Sequence, residues 1–350
     1  MSKTLGHLKV GRYAVTQGKA GVAQEHTDPQ QSGESEYEQQ QNELSSGCHS
    51  RSISKPRALS NVAALPAGLC ADGSVTIMGT AETEDAMRIR LATWNVNSIR
   101  TRMESVLRWL ESSDTDVLLM QETKVTNDLF PRQPLEDAGY RLAVHGQKRY
   151  NGVAIASRLP MEQVTTGLPS GYLPEQARAI SATVAGTRLH NVYVPNGGSP
   201  ESPRFLEKLR FLEELKAMST EWTVDSRCII AGDFNVAPGP EDVFDAEEME
   251  GRVCYHPEER RRIADLAATG LLDLFRRVSP EGTAYSWWDY RAAAFRRDRG
   301  MRLDLLLATP AVAEGLKSCE IHRDVRAWER PSDHVPVSAD LEMSNEGSGL

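Results

Sequence analysis

Six apolar runs in this sequence break off on polar residues of one chemical palette. Asn95 and Asn97 close the run in ATWNVNSIR, Glu122 closes DVLLMQETK, and Tyr193 and Asn196 stand at the end of HNVYVPNGG. Asp233 and Asn235 follow CIIAG, Asp304 interrupts MRLDLLLA, and Asp333 and His334 lie side by side in ERPSDHVPV. One Asp at a strand end is ordinarily a cap or turn former, and an isolated Asp-His pair on a loop is ordinarily a solvated turn. Six such ends, all drawn from carboxylates, amides, one phenol and one imidazole, suggest a single shared rim. Hard oxygen donors and few thiols suit Mg²⁺ or Mn²⁺ better than zinc, and Mg²⁺ commonly uses one or two carboxylates while keeping several waters.

These residues need elements to hold them. Ile89, Leu91 and Thr93 begin a strand pattern, an amphipathic segment follows over Ile99–Leu110, and Asp116–Gln121 has the continuous apolar character of a strand buried on both faces. Further strands are expected at Tyr140–His145, Gly152–Ser157, Ala179–Val184, Arg188–Val194, Cys228–Gly232, Thr283–Trp287, Arg302–Ala308, Ser318–His322 and Val335–Leu341. Helical patterns fall at Pro203–Met218, Pro257–Thr269 and Pro310–Gly315. The prolines of ERPSDHVPV keep that backbone out of a helix, so Asp333 and His334 belong to a loop leading into a strand. About ten strands with irregularly placed helices fit two packed sheets with helices outside them.

The chain has 350 residues and a formal net charge of −9, which disfavours a binder that holds nucleic acid by charge alone. Local basic stretches remain: Arg260–Arg262 and Arg276–Arg277 read as solvated faces, whereas Arg291, Arg296, Arg297, Arg299 and Arg302 crowd together. The five cysteines are scattered with no C-x-x-C pair, so they read as reduced thiols. Residues 1–86 are rich in Gln, Glu, Ser and Gly, with more acids than Lys and Arg. They read as a disordered N-terminal extension rather than a targeting segment, with Met87 as an alternative start. Residues 344–350 read as a disordered tail. No apolar run is long enough for a membrane helix, so the expected location is cytoplasmic.

Across Met87–Met343 the sequence resembles the exonuclease III-type apurinic/apyrimidinic endonucleases of the endonuclease/exonuclease/phosphatase superfamily. The blocks that carry the resemblance are WNVNSIR, LMQETK, GQKRYNGVAIAS, VYVPNG, IAGDFNVAP, YSWWDYR, RLDLLLA and PSDHVPV. GDFN and SDH are common to the whole superfamily; SWWDYR followed by RLDLLLA, with GQKRYNGVA, is narrower. The resemblance implies an α+β fold at 87–343, a four-layered α/β sandwich of two packed, mostly antiparallel sheets flanked by helices, DNase I-like.

It further implies a metal-dependent hydrolase that cuts DNA 5′ to abasic sites and trims 3′ ends in base excision repair. Mg²⁺ would be the cofactor, with Mn²⁺ as substitute, and the partner duplex DNA acted on by a monomer without a membrane. The metal set it implies is Asn95, Glu122, Asp233, Asn235, Asp333 and His334, with Glu122 the first choice. Asp233 would orient or deprotonate the attacking water, Asn235 would hold water and phosphate, and His334, paired with Asp304, would donate to a phosphate oxygen. Whether Asp233 or His334 is the base stays open, with Asp233 preferred. Tyr193 and Asn196 would bind the scissile phosphate, with Asn97 close by. Trp287 would line the pocket for a baseless sugar, Trp288 would pack in the core, and Arg291 and Arg299 would follow the duplex phosphates. Asn151-Gly152 reads as a turn into a strand, with Lys148 and Arg149 near the DNA backbone. Asn97 departs from the pattern, standing where some relatives carry an acid. Two rivals are a lipid- or RNA-directed phosphodiesterase of the same superfamily and a catalytically inactive DNA-binding module. The tryptophan block and the Arg cluster argue against the first, and the presence of Glu122, Asp233 and His334 against the second.

Overall fold

A computed structural model describes residues 87–223 and 225–343. The expected extension at 1–86, the alternative start, Cys48, Cys70 and the tail at 344–350 lie outside the described residues. The strands are β1 (Met87–Asn95), β2 (Val117–Gln121), β3 (Arg141–His145), β4 (Val153–Ser157), β5 (Glu162–Thr166) and β6 (Ala179–Val184). They continue as β7 (Thr187–Tyr193), β8 (Cys228–Asp233), β9 (Leu272–Asp273), β10 (Asp304–Ala308), β11 (Leu316–Ile321) and β12 (Val337–Met343). Three longer helices are α1 (Ile99–Ser113), α2 (Pro203–Ser219) and α3 (Pro257–Ala267).

The strands form two six-stranded sheets, ordered β11-β12-β1-β2-β4-β3 and β5-β6-β7-β8-β10-β9. In each sheet the middle pair is parallel, β1 with β2 and β7 with β8, and the other four pairings are antiparallel. Each parallel pair needs a crossover, and α1 and α2 supply it. The two sheets therefore repeat one plan, which no sequence repeat discloses.

Alternation then builds the layers. Ile89, Leu91, Val117, Leu119 and Ile155 face Ile180, Leu189, Ile229, Ala231 and Leu306 between the sheets. Trp94, Leu118 and Met120 on the outer face meet Val106, Trp109 and Leu110 of α1. Val192, Ile230, Leu305 and Leu307 on the other outer face meet Phe211, Leu212 and Leu215 of α2 and Ile263 and Leu266 of α3. Each fully buried Leu, Ile or Val contributes roughly 1.5–3 kcal/mol of transfer free energy. The helices are capped in the expected way: the Ser202 hydroxyl accepts from the Phe205 N–H before Pro203, and His256 and Glu259 form a reciprocal capping box.

Several expectations need correction. Thr283–Trp287 is not a strand: Ser286 and Trp287 bond Met301 on one side, while the Ser286 carbonyl receives Val335 N–H on the other. That segment is a strap between two loops, so no ladder can propagate. Strand β5 was not expected, because its residues are all exposed and show no apolar alternation. Arg302 and Arg276 are not phosphate-facing or solvated. Arg302 is 1% exposed and bonds Asp242 and Asp273, and Arg276 also bonds Asp242. By contrast Arg260, Arg261 and Arg262 do form a surface ion-pair face with Glu213, Glu250 and Glu258. Cys228, Cys254 and Cys319 are free and buried.

Asp340 on β12 locks the first sheet, receiving Arg88 at 2.6 Å and Arg90 at 2.5 Å across the β1–β12 seam. The hydrogen bond from Arg90, against opposing burial, holds its carboxyl below the ordinary 3.8. A depressed carboxylate stabilises the fold above its unfolded pKa, and that contribution is lost as pH falls through the folded value. We therefore expect Asp340→Asn to lower unfolding free energy by about 1.5–3 kcal/mol at pH 7. The difference from wild type should shrink below pH 4 in urea titrations; a gap independent of pH would show that the charge is not responsible.

Candidate active site

Strand register brings the polar ends together. In the parallel pairs Asn95 lies opposite Gln121 and Tyr193 opposite Asp233, while antiparallel β10 sets Asp304 opposite Asp233. Gly232 makes the β7–β8 approach possible: a Cβ there would lie 1.9 Å from the Val192 carbonyl oxygen. Glu122 follows β2 at φ 51°, and Asn97 and Asn235 also have positive φ, at 42° and 51°. Non-glycine residues in this region cost roughly 1–2 kcal/mol each, so the surrounding contacts must hold them.

The rim is joined across the two sheets. Asn95 Nδ2 donates to Glu122 Oε1 at 2.8 Å and to Asp233 Oδ2 at 2.9 Å, and lies 3.4 Å from His334 Nε2. Its own oxygen accepts the Asn97 N–H at 3.0 Å. Asn95 thus works as a donor hub and does not turn its oxygen outward. Asn235 donates its backbone N–H to Asp233 Oδ1 at 2.8 Å and its amide to Asp233 Oδ2 at 3.2 Å, while its oxygen accepts from Asn196 at 3.1 Å.

His334 places Nδ1 2.8 Å from Asp304 Oδ2 and Nε2 3.6 Å from Asp233 Oδ2. Ser286 fixes Asp304 by donating to Oδ2 at 2.6 Å while its oxygen accepts the Asp304 N–H at 3.1 Å. Ser332 holds the loop by bonding the Asn95 carbonyl at 2.8 Å and accepting the His334 N–H. Burial opposes charge on His334, but Asp304 and Asp233 outweigh it and raise its pKa. The two carboxylates thus favour the imidazolium over the neutral ring. Burial pushes the Asp233 carboxyl up, with Asp304 adding to the rise and His334 opposing it. Burial and Glu122 raise the Tyr193 phenol well above its ordinary value, so it keeps its proton.

Two places offer cation ligands. Ligand atoms of Asp233, Asp304 and His334 lie within 4.8 Å of one another, but His334 Nδ1 is already committed to Asp304. Glu122 and Asp333 suit a hard cation better. Burial opposes ionisation of both, yet Lys124 and Asn95 lower Glu122, and His334, Asn97 and Trp287 lower Asp333. Asn97 Nδ2 donates to Asp333 Oδ1 at 3.0 Å, and Lys124 Nζ lies 3.0 Å from Glu122 Oε2. Two ionised carboxylates on one rim are an oxygen donor set of the kind Mg²⁺ takes.

Around this rim the remaining expected residues are distributed unequally. Trp287 is half-buried and donates its indole N–H to Asp333 Oδ2 at 3.1 Å; Trp288 is fully buried. Asn196, Lys148, Arg149, Arg291, Arg296 and Arg297 are exposed. Arg299 is engaged, bonding Glu248 at 2.6 and 2.7 Å and lying over the Phe244 ring. Asn151 and Gly152, both at positive φ, make the turn into β4. Sequence reading passed over Ser286, Ser332 and Lys124. The first two are small residues beside louder motifs, and only Lys124, two residues after Glu122 in QETK, left a signal that could have been read. It also passed over Gln121 and Asn191, which bridge the sheets beneath the rim at 2.7 Å. Gln121 shows only as a polar residue ending an apolar run, and Asn191 only as an amide inside a strand pattern.

Comparison with known proteins agrees with this fold. The Endonuclease/Exonuclease/phosphatase family model matches residues 92–334. The exodeoxyribonuclease III of Haemophilus influenzae is 31% identical over 266 residues, covering 72% of this chain and all of the relative. A 3′ phosphatase from Neisseria, solved with a product DNA hairpin, superposes with a TM-score of 0.71 at 39% identity, over 73% of this chain and 99% of that one. An AP endonuclease from Archaeoglobus fulgidus gives a TM-score of 0.69 at 38% identity, over 72% and 99%. With its paired six-stranded sheets and an acid–imidazole rim at their shared end, the chain belongs to the endonuclease/exonuclease/phosphatase family, as a hydrolytic nuclease similar to exodeoxyribonuclease III.

Proposed function

We propose that residues 87–343 are the catalytic domain of a Mg²⁺-dependent DNA phosphodiesterase of base excision repair. It incises 5′ to abasic sites and removes nucleotides or blocking groups from 3′ ends, as a cytoplasmic, nucleoid-associated monomer. The observation that carries this reading is the buried Asp233–Asn95–His334–Asp304 array beside two ionised carboxylates. It combines a proton acceptor, a fixed positive donor and a cation site.

Opening a phosphodiester requires a water oxygen to bond phosphorus while the P–O bond opposite breaks, with one proton leaving the water and one reaching the departing oxygen. Asp233, with its raised pKa and three anchoring bonds, is the group that takes the water's proton. His334, held as an imidazolium by Asp304, donates to a non-bridging oxygen as its charge grows. Tyr193, a retained phenol, can donate toward the leaving oxygen, and Asn235 and Asn196 bind the phosphate. Mg²⁺ at Glu122 and Asp333 would supply charge neutralisation at the phosphate oxygens. Mn²⁺ would substitute.

Recognition would fall to one aromatic face and a set of exposed basic residues. The Trp287 face would line the pocket of the baseless sugar, and exposed Lys148, Arg149, Arg291, Arg296 and Arg297 would follow duplex phosphates, giving salt-dependent affinity without sequence reading. Ion pairing to Glu248 leaves Arg299 a weaker contact than Arg291.

The deciding assay is incision of a duplex with one tetrahydrofuran abasic analogue, with Mg²⁺ and with EDTA, beside an intact blunt duplex. Metal-dependent cutting 5′ to the lesion is expected; cutting of neither DNA would sink the reading. In the same assay Asp233→Asn should lower kcat by about 10²–10⁴-fold while DNA binding in EDTA stays within about threefold. Near-normal turnover would remove Asp233 from the mechanism.

Trp287 allows a sharper test, because its ring and its N–H do different things. Trp287→Phe should keep preference for the lesion but raise the Mg²⁺ concentration for half-maximal rate, since Asp333 loses a donor. Trp287→Ala should lose both. Equal Mg²⁺ curves for all three proteins would show that the indole bond does not tune the metal site.

A further inference from the structure

Helix α2 carries Lys208 on the stripe formed by Phe205, Leu209, Leu212 and Leu215, where its side chain has no exposed surface. An ammonium has three protons to donate, and Lys208 places them on three acceptors. They are the Asn196 carbonyl at 3.0 Å, the Asn235 carbonyl at 2.7 Å and the Glu259 carboxylate. Glu259 is equally enclosed: the oxygen facing Lys208 also accepts the Cys254 N–H at 3.2 Å, and the other accepts the His256 N–H at 2.9 Å. One ion pair therefore ties the loop after β7, the loop after β8 and the start of α3.

A buried ion pair is a poor device for stability, because apolar side chains of similar volume often serve as well or better. What an apolar residue at 208 could not do is hold two carbonyl groups in place. Those carbonyls belong to two asparagines linked to Asp233 from its own sheet: Asn196 donates to Asn235, and Asn235 bonds both oxygens of Asp233. Resting on the function proposed above, we propose that Lys208, with Glu259, is a positioning residue: it holds Asn196 and Asn235, and through Asn235 the Asp233 carboxylate, in register for attack on phosphorus. Lys208 itself touches no substrate.

The test compares wild type, Lys208→Met and the double variant Lys208→Met/Glu259→Met. Readouts are thermal unfolding, kcat and KM on the lesion duplex, and a crystal structure of the double variant. The single variant leaves Glu259 buried without its partner, so a lower melting temperature and lower kcat are expected together. The double variant removes both charges but also the acceptors of the Cys254 and His256 N–H groups, so it should melt above the single variant though below wild type, while kcat stays down by about 10–100-fold, KM changes less, and the Asn196–Asn235 contact is broken. A stable double variant with kcat within threefold of wild type, or with that contact intact, would overturn the proposal. A double variant that does not fold would overturn it too, since the argument requires the pair to be dispensable for folding. If wild type cuts neither the lesion duplex nor bis(p-nitrophenyl) phosphate, the functional reading fails instead, and the crystal structure still decides the positioning.

Discussion

Charged groups removed from water must find partners, and at this rim the partners lie on the opposite sheet. Asn95, from one sheet, bonds Asp233, from the other; His334, on the loop entering the first sheet, bonds Asp304 on the second. An unpaired buried carboxylate or imidazolium would cost several kcal/mol, so neither sheet can slide without losing these bonds. The apolar interior between the sheets sets their separation, and the polar seam sets their register. Gln121 and Asn191 add a second seam one layer deeper, where Asn191 also bonds the Met120 and Ala154 carbonyls.

The same constraint explains why polar loops can be rigid here. Each loop ends on a group that is already committed: Ser332 to the Asn95 carbonyl, Trp288 N–H to the Asp333 carbonyl, Lys208 to two carbonyls at once. Such bonds help Glu122 keep a left-handed backbone that a glutamate rarely adopts, and they fix the same conformation, easier for an asparagine, at Asn97 and Asn235. Three of the rim residues, Asn97, Glu122 and Asn235, sit in this conformation just past a strand end, whereas Asn95, Asp233, Asp304 and His334 do not.

The sequence makes the layers and the rim legible for simple reasons. Continuous apolar runs mark strands buried on both faces, and a polar residue closing such a run marks where the strand meets solvent or a site. That logic found Glu122, Asp233, Asp304 and His334 at one end of the fold. It failed where a residue's partner is distant in sequence and its own type is ordinary. Ser286 and Ser332 look like turn formers, and Arg302 looks like one more member of a basic cluster until Asp242 and Asp273 close around it. Thr283–Trp287 has strand-like residues, but both of its edges are spent on loops rather than on a ladder. Lys208 was in plain view on an apolar stripe; a charge at that phase of a helix signals a buried partner.

The two sheets share one plan, yet their equivalent ends have diverged in a way that suits the reaction. Where β1 and β2 end, the groups are an amide donor and a carboxylate kept ionised by Lys124 and Asn95 against the opposing effect of burial. Where β7 and β8 end, they are a phenol and a carboxyl that burial pushes toward its protonated form. One end therefore favours binding a cation and the other favours exchanging a proton. A phosphodiester must have its negative oxygens neutralised and its water deprotonated at the same moment. Under the proposed function, facing two similar sheets across a narrow seam would put those opposite electrostatic demands within reach of one phosphorus atom, without asking any single carboxylate to meet both.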